Sequence, residues 1–500
     1  MSEKKKNHIK VSLQPIGKTL QVKIGTSLID ILHEYGVEFP CGGKGTCGSC
    51  KIKVLKGDIP VSGKHKKSLY NLGLSENWRL ACMSKVNEDV TLEISQFDTI
   101  ILADTSTFSF DPKSGFGVAV DLGTTTLVAQ LLDLKTGHVL NVATALNPQA
   151  KHGADVISRI EFALKDGNAE RLQKMIHKKI GKMISGLLKG HNSGLNKVVI
   201  VGNTVMQHLF CGLDVQPLSF YPFESPDTGI KHFHPSDLNW DMEGEVDISF
   251  MPSIGSFVGS DILAGIVASN IHNSDRYTAL VDLGTNGEIV IGNKDRILCA
   301  STAAGPAFEG TNITMGMRAS TGAIASVRST KKGVVCDVIG NEAPKGICGS
   351  GLIDAAAVLL ENKWMDEWGG FQDEREYVTL MDDVRVYQGD IREFQLAKAA
   401  VASGLQILEN YLKISADDVD QLYIAGGFGS YINIANTTGL GMLEFKKHKI
   451  DKLGNTALIG AKMFLFMDPQ EVESLLKIIR HVPLEGDPDF QDIFIDKMQF

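Results

Sequence analysis

Short stretches in which apolar and polar residues alternate mark the first ninety residues of the chain. Residues 8–14 and 19–24 alternate in this way, which predicts a β-hairpin. Residues 28–32 are mostly apolar and follow a Thr-Ser pair that can cap a helix, so a short helix is expected there. Strands are predicted again at residues 51–55 and 90–94. These elements together predict a small unit rich in strands.

One pattern occurs twice in the remaining chain: an apolar strand, a tight Asp-x-Gly-Thr-type turn and a second apolar strand. The first copy runs from Val118 to Ala129, and the second runs from Ala279 to Val290. Helices are predicted over residues 351–360 and 396–412, where apolar residues recur at helical intervals. The repeat therefore predicts a duplicated framework whose second half is rich in helices.

Composition limits the class of protein. The 500 residues exceed what one ordinary core supports, and 43% hydrophobic with 22% charged residues are typical of a folded, soluble chain. The net charge of −9 argues against nucleic acid or an anionic membrane as the main partner. The basic N-terminus has no apolar segment behind it and no run of 18 apolar residues occurs, so no signal peptide or membrane span is expected. A cytoplasmic, reducing location is the resulting expectation.

Four of the eight cysteines lie close together in the first ninety residues. In a reducing compartment, clustered cysteines indicate metal ligands rather than disulfides. Five of the eight residues between Cys41 and Cys50 are small, and small residues let backbone N–H groups approach bound sulfides. A four-cysteine zinc site usually pairs two C-x2–4-C knuckles, whereas here three cysteines share one glycine-rich loop. An iron–sulfur cluster is therefore favoured over zinc or inert thiols, with four ligands: Cys41, Cys47, Cys50 and Cys82.

This stretch, roughly residues 8–97, resembles a [2Fe–2S] ferredoxin. The C-x5-C-x2-C spacing is one residue longer than the plant C-x4-C-x2-C pattern and is similar to that of the adrenodoxin kind. The resemblance implies an α+β domain of the β-grasp fold at residues 1–97, which carries one electron. The polar residues 98–114 are predicted to be a linker.

The turns of the two repeated hairpins carry the second candidate chemistry. Each turn offers backbone N–H groups and hydroxyls to phosphate oxygens, and its Asp can hold Mg²⁺ through water or orient an attacking water. One such turn is also an ordinary hairpin turn, but two copies and a third, glycine-rich motif at Leu422 to Ser430 favour nucleotide binding. The candidate catalytic residues are Asp121 and Asp282. The candidate nucleotide-binding residues are Gly123, Thr124, Thr125, Thr126, Gly284, Thr285, Asn286, Gly426, Gly427 and Phe428.

Residues 115–470 resemble the superfamily of actin, sugar kinases and heat-shock chaperone ATPases. Val198–Thr204 is similar to the first connecting motif of that superfamily, and Ala457–Ala461 is similar to the second. The resemblance implies a duplicated, ribonuclease H-like ATPase of the α/β class, with two lobes around an ATP cleft. The lobes are expected at residues 115–275 and 276–500.

Nearly the whole chain resembles the reductive activators of corrinoid proteins, which join a ferredoxin-like domain to an actin-like ATPase domain. The segments similar to that family's signatures are Asn147–Ile160, Gly202–Thr204, Ala304–Gly310 and Ile347–Asp354. The resemblance implies ATP-dependent reduction of a Co(II) corrinoid to Co(I) in a methyltransferase system, with a [2Fe–2S] cluster, ATP and Mg²⁺ as cofactors. It also implies a corrinoid protein as partner, a low-potential electron donor and a homodimer.

Several features have two interpretations. The alternative functions are a small-molecule kinase with a redox-sensing cluster, and a scaffold that binds nucleotide without turnover. Asp155 and Arg159 lie four residues apart on a predicted helix, so they either pair on a solvated face or act in the cleft or in docking. His208 is expected to be structural. The other cysteines are expected to be buried thiols, with a second cluster as the alternative: Cys211, Cys299, Cys336 and Cys348.

Overall fold

The computed structural model describes most of the chain. The described residues are 8–14, 17–33, 35, 37, 45, 50–72, 74–94, 110–153, 155–191, 194–242, 244–284, 286–310, 312–317, 319, 322–331, 333–429 and 432–500. Cys41, Cys47, Thr285 and the greater part of the predicted linker 98–114 lie outside them. Across the described ranges, no helix is both long enough and apolar enough to cross a bilayer.

The N-terminal part of the chain forms a five-stranded mixed sheet. The strands are β1 His8–Gln14, β2 Lys18–Lys23, β3 Thr26–Ser27, β4 Lys51–Lys56, β5 Trp78–Leu80, β6 Lys85–Val86 and β7 Val90–Ile94, and the helices are α1 Leu28–His33 and α2 Gly63–Asn71. The sheet order is β2-β1-β7-β4-β5, and β3 pairs with β6 beside it. The predicted hairpin is confirmed, because β1 and β2 pair antiparallel with His8 opposite Lys23. Leu13 of β1 and Leu28 of α1 are fully buried in one core.

A six-stranded sheet follows. Its strands are β8 Phe116–Leu122, β9 Thr126–Asp133, β10 Val139–Leu146, β11 Leu195–Gly202, β12 Lys231–Phe233 and β13 Asp247–Phe250, and the helices are α3 Val156–Ala163, α4 Asn168–Leu187, α5 Thr204–Cys211 and α6 Ser260–Ala268. The order is β10-β9-β8-β11-β13-β12, so β8 lies between its antiparallel hairpin partner β9 and the parallel strand β11. This arrangement brings the turn after β8 beside the end of β11.

The last part of the chain repeats this arrangement and adds further elements. The strands are β14 Tyr277–Leu283, β15 Gly287–Gly292, β16 Ile297–Thr302, β17 Ala323–Thr330, β18 Gly333–Val338, β19 Gly346–Ile347, β20 Tyr377–Met381, β21 Val384–Tyr387, β22 Val419–Ala425, β23 Ile450–Gly454 and β24 Ile479–His481. The helices are α7 Gly349–Glu361, α8 Gln388–Leu412, α9 Gly426–Gly429, α10 Ile434–Gly439, α11 Thr456–Phe464, α12 Pro469–Ile478 and α13 Phe490–Asp496. The main sheet has the order β23-β22-β14-β15-β16-β24.

The two main sheets are duplicates of each other. In each, three antiparallel strands come first in sequence, and two later strands add in parallel beside the first of the three. Only the sixth strand differs, because β12 pairs antiparallel with β13 and β24 pairs with β16. Strand β22 therefore occupies the place in the second sheet that β11 occupies in the first. The end of β11 at Gly202 and the end of β22 before Gly426 are equivalent positions, each beside a repeated hairpin turn.

Helices α6 and α11 cross at close range. A Cβ atom on Gly460 of α11 would overlap the backbone of Ala264 in α6, so glycine allows the two backbones to approach. The segment Ala457–Ala461, similar to the second connecting motif, lies in α11 at this crossing. The segment Val198–Thr204, similar to the first, leads into α5, which packs mainly against α4. The sequence there has the same strand-to-helix pattern, and the pattern alone does not say which helix packs on which.

The N-terminal sheet contacts the second of the duplicated units. The 3₁₀ turn Ala81–Met83 touches a second 3₁₀ turn, Ile339–Asn341. Lys85 Nζ and Glu342 Oε1 form an ion pair of 2.8 Å at the edge of this contact. The segment that carries Cys82 therefore lies at the junction.

Candidate functional site

Two of the four predicted cluster ligands lie next to each other. Cys50 directly precedes β4, Cys82 lies in the 3₁₀ turn after β5, and both are almost fully buried. The backbone N–H of Ala81 donates to the carbonyl of Cys50 at 2.9 Å, which joins the two segments. Gly45 has a φ of +72°, and a Cβ there would meet the sulfur of Met83, so its part of the cysteine loop approaches the Cys82 turn closely. Two buried cysteines on adjoining segments, beside Gly45 of the cysteine loop, fit an iron–sulfur cluster.

A buried histidine supports the Cys82 turn. The backbone N–H of Leu80 donates to His65 Nε2 at 3.0 Å, and burial lowers the pKa of His65 to about 4, with the charge of Arg79 adding to the effect. His65 is therefore neutral at pH 7, with Nε2 as the acceptor. Arg79 itself donates through Nε to the carbonyl of Ile59 at 2.6 Å. The strand that leads to Cys82 is thus fixed on both sides.

Side chains from three elements hold the turn of the first hairpin. Asn147 Nδ2 donates to the carbonyl of Gly123 at 2.9 Å, and Asn203 Nδ2 donates to Thr124 Oγ1 at 2.9 Å. The backbone N–H of Asn147 donates to the carbonyl of Thr125 at 2.8 Å. Thr126 begins the returning strand β9. The predicted residues 123–126 therefore form one ordered turn at the end of β8.

Arg159 completes this arrangement, and the expectation that it pairs with Asp155 on a solvated face was wrong. The side chain of Arg159 is fully buried and donates to the carbonyls of Thr124 and Gly153. Asp155 is instead the N-cap of α3, accepting the backbone N–H of Ser158 at 2.8 Å. Burial lowers the pKa of Arg159 to about 10, and the nearby charge of Asp155 opposes the change, so the guanidinium stays charged at pH 7.

The second hairpin and the third motif meet directly. Asp282 lies opposite Glu288 in the register of β14 and β15, and the N–H of Gly284 donates to the carbonyl of Asn286 at 3.0 Å. Gly426 has a φ of +83°, and a Cβ there would lie 2.5 Å from Asp282 Oδ1. Two of the three predicted nucleotide motifs therefore meet at Asp282. The backbones of Gly427 and Phe428 continue from Gly426 in the short helix α9.

Four partly buried carboxyl groups lie within electrostatic range of one another between the hairpins. Burial raises the pKa of Asp121 to about 6, although Asn455 Nδ2 donates to its Oδ2 at 2.9 Å and opposes the change. Burial also raises the pKa of Asp282, and the charge of Asp121 adds to this. Asp261 and Glu288 have raised pKa values for the same reason, burial first and then the charges of neighbouring aspartates. The two predicted catalytic aspartates are thus brought within electrostatic range of each other.

The structure adds Asp261, Glu288 and Asn455 to the residues predicted from sequence. A single charge in the apolar strand β15 was the available signal for Glu288, since its counterpart opposite Asp121 is Val128. Asp261 and Asn455 lie at the N-termini of α6 and α11, where polar residues usually serve as caps, so no local pattern separates them from ordinary caps.

Hard oxygen donors of this kind suit Mg²⁺. Within the described ranges, no three His, Cys, Asp or Glu side chains are close enough to hold a metal ion by themselves. Mg²⁺ commonly binds through one or two carboxylates and takes its remaining ligands from water and phosphate oxygens. The donor set around Asp121 and Asp282 therefore fits Mg²⁺ bound together with a nucleotide.

Comparisons with known proteins agree with both halves of this site. Family models match residues 276–500 ("C-terminal domain of RACo the ASKHA domain"), residues 116–274 ("RACo middle region") and residues 11–87 ("2Fe-2S iron-sulfur cluster binding domain"). The corrinoid activation enzyme RamQ of Eubacterium limosum is 32% identical over 421 residues, which cover 78% of this chain and 71% of the relative. The chain belongs to the family of corrinoid activation enzymes.

Two further relatives of this corrinoid activator support the assignment. The [Co(II) methylated amine-specific corrinoid protein] reductase of Methanosarcina barkeri is 24% identical over 426 residues, which cover 77% of each chain. A solved reductive activator for corrinoid, iron–sulfur protein has a TM-score of 0.68 and 27% identity, covering 98% of each chain. The expected fold class is confirmed: an α+β ferredoxin domain followed by a duplicated, actin-like ATPase of the α/β class. The expected [2Fe–2S] and ATP-binding domains are confirmed with it.

In this corrinoid activator, His208 and the four cysteines outside the ferredoxin domain are buried or partly buried among other protein groups. His208 is fully buried, with Nδ1 2.7 Å from the carbonyl of Asp214 and Nε2 2.7 Å from Ser225 Oγ. Burial raises the thiol pKa of each of the other four cysteines. They lie in four separate places: Cys211 in α5, Cys299 in β16, Cys336 in β18 and Cys348 before α7. The surroundings of His208 agree with a structural role, and Cys299 and Cys348 are buried as expected, whereas Cys211 and Cys336 are only partly buried.

Proposed function

We propose that this chain uses ATP to drive reduction of the Co(II) corrinoid of a partner protein to Co(I). The main support is that one chain of the corrinoid activation family contains both a ferredoxin domain and an ATPase domain. In the ATPase domain, the aspartates of the two hairpins lie within electrostatic range of each other. When bound, the [2Fe–2S] cluster supplies one electron, which converts Co(II) to Co(I) without making or breaking a bond in the protein. A methyltransferase system that has lost activity by accidental oxidation would be restored in this way.

The energetics explain why an electron carrier needs an ATPase. Moving one electron to an acceptor 100 mV lower costs about 2.3 kcal/mol, so a few hundred millivolts is within the reach of nucleotide turnover. ATP can contribute this energy only if it binds two conformations with different affinity. The crossing of α6 and α11 joins the two lobes, so a nucleotide held between the hairpins can favour one arrangement of the lobes over another.

The roles follow the positions of the residues. Asp121 and Asp282 bind Mg²⁺ through water or orient the attacking water, with Asn455 fixing the carboxylate of Asp121. The proposed cluster ligands are Cys41, Cys47, Cys50 and Cys82. The proposed phosphate-binding residues are Gly123, Thr124, Thr125, Thr126, Gly284, Thr285 and Asn286, and those at the adenosine are Gly426, Gly427 and Phe428. The resemblance to the family supports these assignments, together with the domain limits 1–97, 98–114, 115–275 and 276–500.

The proposal includes the surroundings of the reaction. A low-potential electron donor reduces the chain, the protein works as a homodimer, and the reaction takes place in the cytoplasm. These three statements rest on the likeness to corrinoid activators.

The test follows Co(II) by visible spectroscopy. The full chain with its cluster is reduced anaerobically by Ti(III) citrate and mixed with a Co(II) corrinoid protein, with or without MgATP. We expect the Co(I) spectrum only with MgATP. Equal formation of Co(I) without ATP would contradict the proposal, and phosphorylation of a small metabolite without Co(I) would favour the kinase alternative.

A matched pair of variants locates the activity. Asp282→Asn removes a carboxylate from the cleft and should lower the ATP-dependent rate about 100-fold or more. Asp295→Asn makes the same change at an exposed position in the β15–β16 connection and should leave the rate unchanged. Equal rates in the two variants would show that Asp282 has no part in the reaction.

A further inference from the structure

Arg159 is one of the largest fully buried side chains in the described part of the chain, and its guanidinium links the first hairpin turn to two neighbouring segments. Its Nε donates to the carbonyl of Gly153 at 2.9 Å, and Nη2 donates to the carbonyl of Thr124. Nη1 lies 3.4 Å from the sulfur of Met206. A buried cation is costly unless its donors are satisfied, so this position needs a reason beyond packing.

The directions of the carbonyl groups in the first hairpin turn explain why Arg159 is buried beside it. Because a trans peptide is planar, a carbonyl and the N–H of the next residue point in opposite directions. The carbonyl of Gly123 points to Asn147, so the N–H of Thr124 points away from the first lobe's core. The carbonyl of Thr124 points to Arg159, so the N–H of Thr125 also points away.

We propose that Arg159, together with Asn147, is a positioning residue that ties the carbonyls of Gly123 and Thr124 back, so that two successive N–H groups face the nucleotide phosphates. This inference rests on the proposed nucleotide site, in which Arg159 acts through the turn and does not touch the nucleotide itself. Arginine suits the task because its planar fork donates in several fixed directions at once, which a lysine ammonium does not reproduce.

The test compares ligands that do and do not carry phosphates. Kd values for ADP and for adenosine are measured on the full chain by competition with a fluorescent ADP analogue. In Arg159→Met, ADP should bind about tenfold more weakly or worse, as expected for loss of hydrogen bonds to a charged group, while adenosine changes by less than about twofold. Arg159→Lys should recover part of the ADP affinity.

A second variant covers the case in which Arg159→Met does not fold. Asn147 also caps the turn Pro148–His152 by accepting the N–H of Gln149 at 3.0 Å. Serine is an equally good cap but cannot reach the Gly123 carbonyl as the amide does, so Asn147→Ser removes the positioning contact and keeps the cap. It should shift the ratio of the ADP and adenosine affinities in the same direction.

Lys398 provides the matched control. It is another buried cation whose Nζ donates to backbone carbonyls, those of Lys497 and Gln499, in the other lobe. Lys398→Met should lower the unfolding temperature and leave the ratio of the affinities unchanged. An unchanged ratio in Arg159→Met, or in Asn147→Ser if that variant alone folds, would overturn the inference. If the wild-type chain binds ADP no more tightly than adenosine, the proposed nucleotide site itself is wrong.

Discussion

At the scale of single residues, Glu409 gives the clearest link between burial and pH. This residue of α8 is only 7% exposed. Burial raises its pKa to about 7, and the charge of Glu444 adds to the shift while Lys497 opposes it. An unfolded glutamate has a pKa of about 4.3, so the stability that Glu409 contributes is fully present below that value and is lost as the pH rises through 7.

Glu409→Gln cannot ionise, and this gives a pH-dependent prediction. At pH 8 the variant should be more stable than the wild type, by about 1–2 kcal/mol, and at pH 4 the difference should disappear. Thermal unfolding at both pH values measures it. Glu473→Gln, an exposed position on α12, is the control and should show no pH-dependent gain. A larger gain for Glu409→Gln at pH 4 than at pH 8 would contradict the sign of the effect.

At the scale of elements, the local pattern predicts strands, turns and helices, whereas contacts between distant elements depend on the tertiary structure. Both repeated hairpins appear where the alternation predicts them, because a tight turn and its two strands are neighbours in sequence. By contrast, nothing in the local pattern of α6 indicates that it crosses α11, which begins about 200 residues later in the chain. Helix α8 starts at Gln388, earlier than the predicted start at Leu396. The backbone N–H of Tyr387 donates to Asp390 Oδ2 at 2.9 Å and so caps the first turn of the helix.

Some residues of the candidate site can be predicted from the local sequence pattern, and others cannot. Asp121 and Asp282 could be found because each sits in a repeated turn. Arg159 was visible only as a residue spaced four from Asp155, a spacing that favours an ion pair on a helix surface. Its burial depends on the approach of the turn at Thr124, which lies 35 residues away in the chain. Contacts of that kind follow from the tertiary structure and leave no mark in the local pattern.

The close crossing of α6 and α11 predicts that adding one methyl group at Gly460 lowers the stability of the protein. Gly460→Ala puts a methyl group into the backbone of Ala264, so the helices must separate and stability should fall by about 1–3 kcal/mol. Gly186→Ala adds the same methyl group to α4 where no atom lies within 4 Å, and it should raise stability by about 0.5–1 kcal/mol. Urea unfolding followed by circular dichroism compares the two, and a loss at Gly186 as large as that at Gly460 would contradict the crossing.

At the scale of the whole molecule, the contact between the ferredoxin domain and the second lobe fixes the position of the turn that carries Cys82. Apolar residues of the Ala81–Met83 turn share a buried cluster with Ile339 and Cys348 of the second lobe. The ion pair between Lys85 and Glu342 borders this contact, with 46% and 40% of the side chains exposed. Exposed ion pairs contribute only about 0–1 kcal/mol and are screened by salt. The apolar contact therefore supplies the remaining free energy that holds the ferredoxin domain against the second lobe.

Charge reversal can separate these two contributions. Lys85→Glu places two carboxylates together, so at low ionic strength the ferredoxin domain should spend more time detached and the radius of gyration from small-angle scattering should rise. Lys85→Glu combined with Glu342→Lys restores an opposite pair and should restore the compact value, and 1 M salt should reduce the difference between variants. Lys66→Glu makes the same charge change at an exposed position of α2 and should have no effect. If Lys85→Glu stays as compact as the wild type at low salt, the apolar contact alone holds the domain, and the ion pair only marks its edge.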